Sequence, residues 1–383
     1  MTIPSTPDIP VEPVRGVPAG PEVVDAAGGA HVATRLADTA KPTGEEILRI
    51  EDLTVEFPTD DGVVHAVRGV SYSVHEREVL GIVGESGSGK SVSSMAVMGL
   101  LPTSARVKGK ILYRGEDVLT KSAAAQRSLR GRKIAMIFQD PMTALNPVQS
   151  VGDQLAEAVL SHEIVPRKQA LARAEEMLEL VGIPQPKLRL RSYPHEFSGG
   201  MRQRAMIAMA VINRPDVIIA DEPTTALDVT VQAQILEKLI EVKDAVNAAI
   251  ILITHDLGVV AGMAHRVLVM YAGRPVEIGD TDQVFYQPRM PYTAGLLGSI
   301  PSLGGAGGGS RLRPIKGAPP SLINLPTGCP FSPRCPLADD VCRTTEPALL
   351  SADAYGHLAA CHHWDRLAEV DDPTMFFRAE SAT

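Results

Sequence analysis

The chain has 383 residues but only four cysteines, and all four fall between Cys329 and Cys361. That placement excludes a disulfide framework spread over the fold and points to a local site, since a reducing cytosol would not maintain disulfides in any case. Long apolar runs are also missing. The longest extends from Ala205 to Ile212, far short of the ~20 residues that cross a bilayer, so no self-spanning helix is expected. The start of the chain lacks a basic segment followed by an apolar one, which makes a secretory signal unexpected and the cytosol the default compartment. Nor is there a basic excess: 37 Lys and Arg stand against 45 Asp and Glu, a formal net charge of -8. This excludes a mainly phosphate-backbone binder, and no nucleic-acid partner is expected.

Length alone suggests two or three folding units. Residues 1–43 hold seven Pro and no aromatic residue, too little apolar surface to offset the entropy of ordering, and are expected to form a disordered tail. From Ile47 onward, alternating residues suit strands with one buried face. Val79 to Val83, Val217 to Ala220 and Ile250 to Ile253 read as buried parallel strands. Helical patterns lie between them, over Gln169 to Val181 and Val231 to Val246, so the class is α/β. Pro301 to Ser310 carries five Gly and reads as a linker to a Pro- and Cys-containing extension.

Two segments carry phosphate chemistry. Gly84-Glu85-Ser86-Gly87-Ser88-Gly89-Lys90-Ser91 follows a strand and opens a helix, the context a phosphate-binding loop requires. Its glycines let backbone N–H groups converge on phosphate oxygens, Lys90 adds a point charge, and the Ser91 hydroxyl can ligate Mg²⁺. The apolar strand Val217 to Ala220 then delivers Asp221 and Glu222 to its C-terminal end, where α/β sheets bind ligands. Asp221 is placed to hold Mg²⁺ through water, and Glu222 to orient and deprotonate an attacking water as general base.

Phe197-Ser198-Gly199-Gly200-Met201-Arg202-Gln203-Arg204 resembles the signature loop of ATP-binding cassette (ABC) ATPases. The other motifs of that family follow over residues 47 to about 290. Gln139 resembles the Q-loop residue, Thr225-Ala226-Leu227-Asp228 the D-loop, and His255 the switch histidine. The signature has Phe at its first and Met at its fifth position. With Asp140-Pro141-Met142-Thr143-Ala144-Leu145-Asn146-Pro147 after Gln139, this resembles the oligopeptide/dipeptide branch, which includes nickel importers. The resemblance implies that Ser198, Gly199 and Gly200 bind the γ-phosphate held by an opposing subunit, with Asp228 nearby. It also implies that Gln139 senses Mg²⁺ and water, and that His255 contacts the γ-phosphate. Adenine would stack on Phe57, with His65 as the other option. The expected fold is an ABC-type nucleotide-binding domain over 44–300, with a parallel-sheet core, an antiparallel edge sheet and a helical subdomain at about 140–215. A linker and extension would occupy 301–383. The helical region would receive a short permease helix near Asn146 and Pro147, although Asn-Pro is equally a turn.

The extension has the spacing Cys329-x5-Cys335-x6-Cys342-x18-Cys361 and resembles that of peptide-importer ATPases, some of which carry an iron-sulfur cluster. Four thiolates suit a [4Fe-4S] cluster. Structural zinc is the alternative, although its usual Cys-x2 to x4-Cys knuckles are absent; four free buried thiols are a third possibility. His357, His362 and His363 are further candidate ligands.

The implied function is ATP hydrolysis with Mg²⁺ at a dimer interface, driving uptake of oligopeptides or dipeptides. The implied partners are a related second ATPase, two membrane permease subunits and, through them, an extracytoplasmic peptide-binding protein. The chain would sit peripherally at the cytoplasmic face of the membrane. A nickel-chelate importer ATPase is the alternative. A soluble ATPase acting on DNA or ribosomes would need a long coiled coil or a second cassette, and the sequence has neither.

Overall fold

The structure is a computed structural model that describes residues 44–225, 227–300 and 314–377, with only the backbone of Met142, and two short strands nearer the N-terminus. Those strands, Val23–Val24 and Ala30–His31, form an antiparallel pair of their own. The rest of the expected tail, and the expected linker over 301–310, lie outside the described residues.

Two sheets form the main body. An antiparallel sheet contains β1 (Glu46–Thr59), β2 (Gly62–His75), β4 (Arg106–Tyr113) and β5 (Glu116–Asp117), in the order β2-β1-β4-β5. β1 is one long strand whose register slips between Ile50 and Leu53, where Asp52 has a positive φ of 47°. The larger sheet has eight strands. Its parallel part contains β3 (Val79–Val83), β6 (Ile134–Ile137), β7 (Val217–Asp221), β8 (Ala249–Thr254) and β9 (Arg266–Tyr271), in the order β9-β3-β8-β7-β6. The expected α/β class with a parallel core and an antiparallel sheet beside it is what the chain forms.

These strands read as apolar runs because both faces are covered. Side chains alternate between two hydrophobic layers. Val79, Val83, Ile250 and Leu252 face the layer built with the helices. Leu80, Ile82, Ile251 and Ile253 face the layer shared with the antiparallel sheet. Helices α1 (Lys90–Val97), α2 (Val151–Leu160), α3 (Arg167–Leu180), α4 (Gly199–Val211), α5 (Val229–Val246), α6 (Leu257–Met263) and α7 (Pro291–Gly298) complete the packing. In α3 the buried residues Ala170, Ala174, Met177 and Leu178 recur at the spacing of one helical face.

Beyond the parallel strands the sheet turns antiparallel. β10 (Arg274–Asp280) pairs with β9, and two strands of the extension, β11 (Leu350–Ser351) and β12 (Leu358–Ala359), continue the sheet outward from β10. Beneath this junction Glu277 is fully buried. Its carboxylate accepts from the N–H groups of Arg289 (2.6 Å) and Met290 (3.2 Å) and lies 2.7 Å from His357 Nε2. His357, one of three further candidate ligands for the thiol site, is engaged here, because a buried carboxylate needs donors. Glu277→Ala would orphan these donors, each at about 1–3 kcal/mol. We expect a loss of about 3 kcal/mol or more in urea unfolding, with the cassette and extension losing stability together.

Candidate functional site

The phosphate loop starts where β3 ends. Gly84 has φ 152° and Gly89 φ 99°, and a Cβ at either position would strike a carbonyl oxygen, that of Met270 or of Ala66. Glycine is therefore required twice within six residues, first to leave the strand and then to enter α1 at Lys90. Lys90 is only 6% exposed. Its ammonium donates to the carbonyls of Gly84 (2.7 Å) and Glu85 (2.9 Å) and to Ser88 Oγ (3.4 Å). Burial lowers its pKa, while the nearby Glu222, Asp221 and Glu85 carboxylates act in the opposite direction.

The acidic pair sits across from this loop. Asp221 closes β7, is 7% exposed, and accepts from Ser91 Oγ at 2.9 Å. Burial raises its pKa, and the Ser91 bond works against that rise. Glu222 has a left-handed backbone with φ 46°, held by its N–H donating to the Ile253 carbonyl (2.8 Å). Its carboxylate accepts from Gln139 Nε2 and from Thr225 Oγ1, both at 2.9 Å, and lies 3.3 Å from His255 Nδ1. One carboxylate thus joins the residues expected as base, Q-loop and switch histidine. Thr225 was not expected to touch it; its position three residues after Glu222 was the available signal.

Other expected residues lie elsewhere. Ser198 caps α4 by accepting from Met201 N–H (3.3 Å), and Gly199 and Gly200 form the first turn against Leu227 and Val231. Ser198 and Gly199 are exposed. The Asp228 carboxylate caps α5 through Val231 N–H (2.9 Å). Phe57 is half-buried on β1 opposite Val64, packed against the antiparallel-sheet core. The neighbouring Pro58 to Gly62 stretch is the tip of the β1–β2 hairpin, with Thr59 Oγ1 donating to the Gly62 carbonyl (2.7 Å). His65 Nδ1 lies 3.2 Å from the Glu56 carboxylate. Asn146 is exposed, and its Oδ1 accepts from Val148 N–H (3.2 Å) in its own turn.

In the extension, Cys329, Cys335, Cys342 and Cys361 line one pocket with His362 and His363. The Cys329 N–H donates to the Cys342 carbonyl (2.7 Å), and Cys361 Sγ accepts from His363 N–H (3.3 Å). Burial raises the thiol pKa values, to about 12 for Cys335 and Cys361. Among the described residues, the group whose ligand atoms all lie within 4.8 Å of one another is Asp339, Cys342 and His363.

The comparisons with known proteins bear on the family and the fold. The family profile "ABC transporter" matches residues 67–225, and the profile "Oligopeptide/dipeptide transporter, C-terminal region" matches 276–342. Over 328 residues the chain is 53% identical to the dipeptide transport ATP-binding protein of Bacillus subtilis, covering 85% of this chain and 97% of that one. This chain belongs to the ABC transporter family. It is also 55% identical over 316 residues to the oligopeptide transport ATP-binding proteins of Mycobacterium bovis and Mycobacterium tuberculosis, covering 82% of this chain. It spans about half the length of those two relatives, 51%. These relatives put the ABC chain in the oligopeptide/dipeptide branch. Among solved structures, cbiO1 of Clostridium perfringens, part of an ABC transporter complex, superposes with a TM-score of 0.54 at 29% identity, over 63% of this chain and 91% of that one. A dimeric ATP-binding cassette bound to ADP and Pi superposes with a TM-score of 0.55 at 23% identity, over 61% of this chain and 99% of that one, and shows the shared fold.

In this ABC chain the Gly89 constraint is open to a direct test. Gly89→Ala forces the loop off the Ala66 carbonyl and strains a left-handed backbone, at a cost on the order of 1–2 kcal/mol before any clash. Affinity for ATP, measured by calorimetric titration, is expected to fall at least about tenfold.

Proposed function

We propose that this chain is the ATP-hydrolysing subunit of an importer of oligopeptides or dipeptides. The observation that carries the reading is the Glu222 carboxylate, held by Gln139, Thr225 and His255 beside the Ser91–Asp221 pair and the phosphate loop. The loop backbone and Lys90 bind the β- and γ-phosphates. Ser91, Asp221 and Gln139 are the oxygen donors that would hold Mg²⁺, whose charge offsets that building on the phosphates. These donors fit a hard cation, since all are oxygens and two are already within hydrogen-bond reach of each other. Glu222 takes a proton from the attacking water as its oxygen bonds to the γ-phosphorus. The bond to the β–γ bridging oxygen breaks, leaving ADP and phosphate. His255 and Gln139 orient the carboxylate and the water.

The exposed Ser198–Gly199 turn at the start of α4 offers N–H groups at a helix N-terminus, suited to the γ-phosphate of a second, related ATPase subunit. Hydrolysis would then need the dimer. A groove of about 280 Å³, lined by Met98, Phe138, Ala144, Met206, Met209 and Ala210 among others, is the surface proposed to receive a short helix from one of two membrane permease subunits. Its flexible thioethers suit an apolar helix face. No described helix is long and apolar enough to cross a membrane, so in this reading the permeases hold the chain at the cytoplasmic face. An extracytoplasmic binding protein delivers the peptide. The reported relatives are named for peptides, which favours peptide cargo over a nickel chelate.

For the four-cysteine pocket we propose a [4Fe-4S] cluster. Four thiols converging on one pocket fit four iron ligands. When bound, the cluster would cross-link the extension as a structural centre.

Glu222→Gln keeps the cradle and removes the base. We expect ATP affinity near that of the unaltered chain and turnover lowered at least about 100-fold, measured as phosphate release from the assembled transporter; undiminished turnover would refute the assignment. Met209→Glu, in the groove, is expected to lower peptide uptake while nucleotide affinity stays within about twofold.

A further inference from the structure

The phosphate loop is gripped from the extension. Glu85, the loop's second residue and its one acid, has every polar group engaged. Its N–H donates to Tyr292 Oη (2.8 Å), and its carbonyl accepts from Lys90 Nζ (2.9 Å). Its carboxylate is paired twice with Arg334, Nη1 to Oε2 at 2.6 Å and Nη2 to Oε1 at 2.8 Å. Arg334 lies 249 residues further along the chain, in the short turn Ser332–Arg334 between Cys329 and Cys335. Its side chain is 4% exposed. The guanidinium also donates to the Tyr271 hydroxyl (3.2 Å) and the Lys316 carbonyl (3.2 Å), and lies 5.9 Å and 5.8 Å from the Tyr271 and Phe331 ring centres. Those rings and Tyr292 form one cluster, with centroids 4.5 to 5.4 Å apart.

A carboxylate in this loop works against its task, because the triphosphate brings several negative charges to the same few ångströms. Attachment of the extension does not depend on this pair alone. Glu346 of the extension binds both Arg68 (2.8 Å) and Arg274 (3.2 Å) of the cassette, and the ring cluster and shared sheet add more. The two-bonded pairing therefore has a task beyond docking. We infer that Arg334 is a positioning residue for nucleotide binding: it neutralises Glu85 and holds its carboxylate turned toward the extension, so the extension sets part of the affinity for ATP. The inference rests on residues 84–91 being the ATP site.

The test is calorimetric titration of the full chain with ATP and Mg²⁺. Arg334→Gln frees an unpaired carboxylate and is expected to weaken affinity about tenfold, the order of one poorly screened like-charge contact. Arg334→Gln combined with Glu85→Gln removes that carboxylate and is expected to return affinity to within about twofold of the unaltered chain. Arg334→Gln without effect, or a double variant as weak as the single one, overturns the inference, since a purely structural role would not be rescued. Glu85→Gln alone decides if Arg334→Gln does not fold. Affinity undiminished or tighter supports charge neutralisation, because Arg334 then faces the phosphates uncompensated, whereas weakened affinity overturns it. Lys90→Ala separates the premise from the inference: unchanged affinity there would refute the ATP site itself, while loss there with Arg334→Gln unaffected would refute only the positioning role.

Discussion

The site depends on the register of four parallel strands. β3, β8, β7 and β6 lie side by side, with Thr254 opposite Val83, Ile253 opposite Asp221 and Ile137 opposite Ala220. The chain leaves each strand at the same edge of the sheet. Gly84, His255, Glu222 and Gln139 therefore emerge as neighbours, although up to 171 residues separate them, the difference between 84 and 255. A shift of one residue in any strand would exchange the side chains packed into the two apolar layers and break the close packing of both. The packing of the hydrophobic core therefore sets the alignment of the strand ends from which these residues emerge.

That alignment concentrates charges that would otherwise repel. Asp221 and Glu222 are adjacent, and Asp221 sits in surroundings that raise its pKa through burial. Lys90, buried nearby, favours the ionised form of Asp221, and the carboxylates favour the ammonium in return. Glu222 adopts its left-handed backbone, which costs about 1–3 kcal/mol in a non-glycine residue, because its N–H and its carboxylate are both engaged. With the backbone turned at this one residue, the carboxylate meets Gln139 and His255.

The legible parts of this molecule are those whose causes are local. β3 runs over the expected Val79 to Val83, and α3 and α5 begin two residues before their expected starts, because apolar runs and helical periodicity are set by near neighbours. The glycines of the phosphate loop were legible for the same reason, since backbone demands act residue by residue. Contacts made between residues far apart in the chain left no such trace. Nothing near Glu85 points to Arg334, nothing near Glu277 points to His357, and β11 and β12, of two residues each, carry too short a pattern to register. Asp228 shows the opposite case. Its position fits a motif, yet its carboxylate serves as the first cap of α5, because an unpaired helix N-terminus takes the nearest acceptor.

The extension meets the cassette through charge as well as through the ring cluster and the shared sheet. Replacing well-buried ion pairs by apolar residues is often neutral or stabilising, so such pairs are weak grounds for stability and better explained by what they specify. Here each pair has one definite geometry. Glu346 takes Arg68 from the antiparallel sheet and Arg274 from β10, fixing the extension to two elements at once. Arg334 takes both oxygens of Glu85 and cannot slide without losing one. A greasy contact would tolerate a shift of an ångström with little loss, whereas a two-bonded guanidinium does not. The cysteine turn and the phosphate loop are thereby held in one fixed relation. The thiol pocket consequently lies one residue from the side chain that holds Glu85 of the phosphate loop.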